Sequence, residues 1–310
     1  MQYSLTNTDK HKILLWQFTK HEIDMQSFVT SLDFENSDLI FIVLIEGIMD
    51  TYKHTITGNI VNKSIHAWDS LVDLYRPNFH TYLFHWQETK LVYEQYNLKT
   101  KLVDPLSQTP SAIFDCFSAS PRHHRDIFYD NLRSKKLAKH NIIRYSNWMP
   151  GSGELNEFTG GRMSGMEIPF TQERVSDINY FVPYKIYNQS WFSMVCETDC
   201  DRYFLTEKTA KTIIAKKAFY VLSAPGALSD LRALGFETFG DIFDESYDQI
   251  IDLKIRSDFI VEEIIRVNKE DPVLLYKKIL PVLEHNYNHM FSLDWQKIMT
   301  QEMQDIINDK

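Results

Sequence analysis

SAIFDCFSASPRHHRDIFYDNLRSKKLAKHNIIRYSNW runs from Ser111 to Trp148, and its reading decides the fold. SAIFDCFS (111–118) is an apolar run of strand length. ASPRHHR (119–125) follows as a tight basic loop. DIFYDNLRSKKLAKH (126–140) reads as a helix and NIIRYSNW (141–148) as a second strand. Strand, loop, helix, strand is the opening unit of a Rossmann-like sheet, because parallel strands need a long crossover between them.

Downstream, the pattern repeats after an interruption. MPGSGELNEFTGGRMSGMEIP (149–169) is Gly-rich and irregular, as a long loop or lid would be. It contains neither GxGxxG nor GxxxxGK[ST], so neither phosphate-binding fingerprint is supported. QSWFSMVCET (189–198) is another apolar strand. YFLTEKTAKTIIAKKAFYVLSAPG (203–226) reads as loop, helix, strand and turn. GALSDLRALGFETF (226–239) adds a short helix with a strand-like end, and from Asp244 onward the chain is almost wholly helical.

Upstream, KILLWQF (12–18) and DLIFIVLIEG (38–47) read as buried strands. KSIHAWDSLVDLYRPN (63–78) carries Ile65, Trp68, Leu71, Val72 and Tyr75 at helical spacing, closed by Pro77. FHTYLFHW (79–86) reads as a strand, and QETKLVYEQYN (87–97) as the helix after it. LKTKLVDPLSQTP (98–110), with two prolines and several small polar residues, is the best linker. The expected organisation is an N-terminal α/β domain over 1–105 and a C-terminal Rossmann-like domain over 106–310 with a helical tail.

A length of 310 residues suits two domains. The net charge of −9 excludes a broad basic field for non-specific nucleic-acid binding but leaves a local basic patch open. Three cysteines, Cys116, Cys196 and Cys200, make neither a disulfide framework nor zinc-finger spacing. The longest apolar run, LIFIVLI (39–45), is too short to span a bilayer, and the N-terminus lacks a signal-peptide pattern. The expected compartment is the cytoplasm.

Four constellations can carry chemistry. In SPRHHRD, Arg122 and Arg125 suit bidentate phosphate contacts and His124 adds a donor, beside a helix start that favours anions. The competing reading is a solvated turn. In TEKTAK, Thr206 is a good N-cap, and Lys208 and Lys211 lie three apart on one side of a helix. Two ammonium groups and a helix start suit a diphosphate, and Glu207 suits a ribose diol. Equally, Glu207 and Lys211 form a surface i,i+4 pair. DCD (199–201) has spaced aspartates that suit a divalent ion, but so short a pattern in an acidic chain has little specificity. Glu46, at the end of a strand, suits a general base or is simply solvated. His85, between Phe84 and Trp86, reads as a packed core or rim histidine.

Two of these stretches together resemble a family. SPRHHRDIFYDNLRSKKLAKHNIIRYS and CETDCDRYFLTEKTAKTIIAKKAFYVLSAPGALSDLRALGFETFGDIFDESYD, with EHNYNHMFS (284–292), are similar to glycosyltransferases of large phages and other viruses. These resemble fucosyltransferase and exostosin-type enzymes in their C-terminal half. The resemblance covers about residues 111–292. The family's Lys-Pro-Ile is Lys211-Thr212-Ile213 here, and its Pro-Phe is Ala218-Phe219.

The resemblance implies a GT-B fold, two Rossmann-like domains facing a cleft. It implies a nucleoside-diphosphate sugar, UDP- or GDP-linked, in the C-terminal domain. Arg122, His124, Arg125, Thr206, Glu207, Lys208 and Lys211 match its donor-binding motifs, with no tightly bound cofactor and no metal. The N-terminal domain then holds the hydroxyl acceptor, with Glu46 as base. Modified phage DNA, a glycan and a protein hydroxyl stand as acceptors. A catalytically silent binding or structural protein of the same fold is the alternative. A phosphoryl or nucleotidyl transferase is a third reading, weakened by the missing phosphate loops.

Overall fold

The structure, a computed structural model, describes residues 6–8, 11–16, 39–44, 64–67, 83–96, 98–118, 122–145, 179–200, 204–295, 297–298 and 301. The chain divides into two units, Met1–Tyr82 with Gln296–Lys310, and Leu83–Trp295.

In the first unit, β1 (Thr6–Thr8), β2 (His11–Trp16), β3 (Leu39–Leu44) and β4 (Ser64–Ala67) form a sheet in that order. β1 runs antiparallel to β2, while β2, β3 and β4 are parallel. The near-continuous apolar runs of β2 and β3 are the pattern that parallel neighbours require. β4 corrects the start of the helix expected over 63–78, at 64–67, while 68–78 lie outside the described residues. Ile65 sits opposite Ile40 in the ladder, and pairing with a formed strand overrides a helical spacing that begins there.

The second unit begins with α1 (Leu83–Gln95). This helix corrects the strand expected over 79–86 at its 83–86 end, while 79–82 lie outside the described residues. Leu83, Trp86, Thr89, Val92 and Tyr93 are buried at three- and four-residue spacing, so a helical face already starts within the aromatic run. Then follow β5 (Ala112–Ser118), α2 (His123–Ser134), β6 (Ile142–Tyr145), α3 (Tyr184–Tyr187), β7 (Ser190–Cys196), α4 (Glu207–Ile214), β8 (Phe219–Leu222), α5 (Ala227–Ala233), α6 (Leu253–Val267) and α7 (Pro272–Ser292). Their strands form a parallel sheet in the order β6-β5-β7-β8. All seven residues of β7 are buried, as befits an interior strand.

Packing around this sheet is strongly aromatic. Tyr220 stacks on Phe243 at 4.2 Å, and Phe114 and Phe192 lie within 6.1 Å of the same ring. A second cluster joins Trp86, Trp295 and Phe236. Phe236 and Phe239 are buried without forming a strand, which corrects the strand-like end expected at 236–239. Their rings plug the core from an irregular segment, so burial alone imitates a strand there. At the amino side of the sheet, Lys217 lies 3.4 Å from Asp115 and donates to Tyr187 O, Ser190 O and Ser190 Oγ. Burial holds Asp115 above the usual carboxylate range and lowers Lys217 to about 8.

Candidate functional site

The strand order places a switch point between β5 and β7. From β5 the chain crosses to β6 on one side and then returns to β7 on the other. In open α/β sheets a crevice opens outside the carboxyl ends of the two strands that flank such a switch. Here those ends are Ser118 and Cys196, followed by Glu197.

The basic segment and the TEKTAK helix start meet at Glu197, and His123–Arg125, expected within a loop that runs to 125, instead open α2. From α2, His124 Nε2 lies 2.9 Å from Glu197 O and donates to it, which fixes that ring nitrogen as N–H. Arg125 Nη2 donates to the same oxygen at 2.9 Å and to Cys196 O at 3.4 Å. Both side chains are buried, and burial lowers the pKa of His124. The Glu197 carboxylate, fully buried, faces α4. Its Oε1 accepts from Thr206 N at 2.9 Å and Thr209 Oγ1 at 2.6 Å, and its Oε2 accepts from Thr206 Oγ1 at 2.6 Å. Residues about eighty apart in the chain are thus tied to one glutamate.

α4 is far more enclosed than its charges suggest. Thr206 caps it, accepting from Lys208 N, and every residue from Glu207 to Ile214 except Lys208 is buried. The Glu207–Lys211 pair is present at 3.9 Å, but it is buried rather than solvated. Lys211 Nζ donates to Asn179 O at 2.5 Å. Lys208 keeps part of its side chain in solvent and lies 3.1 Å from Glu207 Oε1. Its Nζ also donates to Thr198 Oγ1 and Thr206 Oγ1, both at 2.9 Å.

Three helices start at the carboxyl edge of this sheet, and the chain treats them differently. At α5, Asp248 Oδ1 accepts from Leu228 N at 3.1 Å, so the chain's own carboxylate fills the anion position. At α4, Thr206 and Glu197 occupy it. At α2, the N-cap is exposed Arg122, with no side-chain cap among the described residues. Its leading N–H groups and the Arg122 guanidinium together suit an anion.

Glu46 and Asp201 lie outside the described residues. Among the described residues no group of three metal-ligating side chains is close enough to hold an ion. No helix among them is long and apolar enough to cross a membrane. Glu197 was missed in the sequence reading. Its only signal there was that it directly follows an apolar strand on the carboxyl side.

No known family profile matches the chain, and no curated protein matches it. Among solved structures the chain is similar to one described as "Crystal Structure of alpha1,3-Fucosyltransferase", at 13% identity and a TM-score of 0.37, covering 93% of each chain.

Proposed function

We propose that the chain is a glycosyltransferase that moves a sugar from a nucleoside-diphosphate donor, UDP- or GDP-linked, to a hydroxyl acceptor, with the donor held by the second unit. The observation that carries this reading is the meeting of the two basic segments at Glu197, on the carboxyl side of the β5/β7 switch point. It agrees with the resemblance of those same segments to glycosyltransferases.

In such a transfer the bond from the sugar's anomeric carbon to the diphosphate breaks, and the electron pair leaves with the phosphate oxygen. The acceptor hydroxyl forms the new bond and gives its proton to a base. The dominant need is to stabilise charge on the departing diphosphate. Arg122, at the start of α2, and Lys208, at the start of α4, are the cations best placed to do so. Arg125 and His124 hold the crevice wall and Thr206 shapes the start of α4, while Lys211 adds charge from behind Glu207. Glu207 receives the ribose hydroxyls. The first unit binds the acceptor, with Glu46 as base.

Calorimetry of GDP and UDP, followed by transfer and hydrolysis assays on a panel of their sugars, tests the proposal. Arg122→Ala and Lys208→Ala are each expected to weaken diphosphate binding by about tenfold or more, the range of a charge-assisted hydrogen bond. Unchanged affinity in both variants would overturn the donor site. Binding without turnover of any sugar would mark a binding protein of the same fold instead.

A further inference from the structure

We infer that Glu197 is a positioning residue that couples the two halves of the donor site by orienting Lys208 through Thr206. The inference rests on the donor-site reading above and deepens it.

The argument starts from the proton count of a hydroxyl. Thr206 Oγ1 has one proton to give and two lone pairs to offer. It gives its proton to Glu197 Oε2 at 2.6 Å. Its lone pairs therefore point away from Glu197 and toward Lys208, which donates from Nζ at 2.9 Å and from its backbone N at 3.5 Å. A carboxylate can only accept, so it sets the direction of the hydroxyl without ambiguity. Lys208 Nζ is itself 3.8 Å from Glu197 Oε2, close enough to feel its charge. Glu197 also fixes the backbone that follows it, by accepting Thr206 N–H and Thr209 O–H on Oε1. From its other end, Glu197 O is the shared acceptor for His124 and Arg125 of α2. A shift of this one residue therefore moves the first turn of α4 and the first turn of α2 together.

Glu197→Gln keeps the shape but places an amide donor against Thr206 Oγ1. The hydroxyl loses its acceptor there, and the amide competes with Lys208 for its lone pairs. Thr209→Val removes one donor to the carboxylate without touching Lys208, and Thr209→Ser restores it.

The test is a double-mutant cycle on the full chain, reading GDP and UDP affinity by calorimetry well below the melting temperature. Glu197→Gln is expected to weaken binding about tenfold in the wild-type background and no more than about twofold in the Lys208→Ala background, a coupling typical of residues in one network. Combined with Lys216→Ala, a surface lysine paired with Glu284 and set over the Tyr287 ring, its effect should simply multiply. Thr209→Val should weaken binding severalfold and Thr209→Ser should recover it. If Glu197→Gln lowers the melting temperature but leaves affinity unchanged, or the cycle with Lys208→Ala is additive, Glu197 is structural only and the inference fails while the donor site stands. Should Glu197→Gln fail to fold, the two Thr209 variants decide the matter on the same readout. Failure of the wild-type chain to bind either nucleotide overturns the donor site itself, and this inference with it.

Discussion

His85 lies between Tyr180 and Phe204, and burial lowers its pKa to about 4 against the nearby Glu207 carboxylate, with Lys208 and Lys211 adding to the effect. The ordinary value, 6.5, applies to the unfolded chain. Between these values the unfolded state binds the extra proton, so stability falls as pH falls. The contribution is fully present above pH 6.5 and is lost as pH drops through about 4. Its size is on the order of 3 kcal/mol. Denaturant titrations at pH 7, 6, 5 and 4 should show this loss in the wild-type chain and a shallower one in His85→Gln. Equal slopes would place the acid sensitivity elsewhere. The histidine's packed character was legible in the sequence, because aromatic neighbours flank it. Glu197 was not. Its role depends on His124, Arg125, Thr206 and Thr209, and only the sheet order brings those together.

Among the elements, those with a strong local period were the legible ones. SAIFDCFS, QSWFSMVC and the helix after Thr206 formed where the pattern placed them. The errors fell where aromatic residues satisfy two periods at once, as at Leu83–Trp86, where strand pairing overrides a helical spacing, as at 64–67, or where rings are buried from irregular backbone, as at Phe236 and Phe239. The order β6-β5-β7-β8 has no local signature, so the switch point appears only in three dimensions. The end of α5 shows the same dependence on distant contacts. Gly235 has a φ of +89, and a Cβ there would stand 2.6 Å from His289 Nε2. That nitrogen lies 2.7 Å from Leu234 O and caps the helix end, while His285 serves Gly235 O at 3.0 Å. Gly235→Ala should therefore destabilise the chain by about 1–3 kcal/mol through both backbone strain and displacement of His289. Adding His289→Ala removes the clash but not the strain, so the pair should be less than additive by thermal melting. Nucleotide binding should be untouched, because this end of α5 points away from the carboxyl edge of the sheet.

For the molecule as a whole, the division into two units makes the location of the donor site measurable without knowing the sugar. A net charge of −9 means that an anionic donor is held by local groups rather than by the overall field. Every proposed donor contact belongs to the unit Leu83–Trp295. A ligand that binds only the folded form stabilises it by about 2.7 kcal/mol at a hundredfold excess over Kd. For a unit of this size that corresponds to roughly 5–10 °C in melting temperature. Scanning calorimetry with GDP or UDP should therefore raise the transition that belongs to Leu83–Trp295. A second transition, where one resolves, should stay in place if it belongs to Met1–Tyr82 and Gln296–Lys310. The Arg122→Ala/Lys208→Ala double variant should lose most of the shift, read from its own ligand-free melting temperature, which the loss of the Lys208 contacts to Glu207 and Glu197 lowers. A nucleotide-induced shift confined to the other transition would move the donor site to the first unit, and the convergence at Glu197 would then be architecture alone.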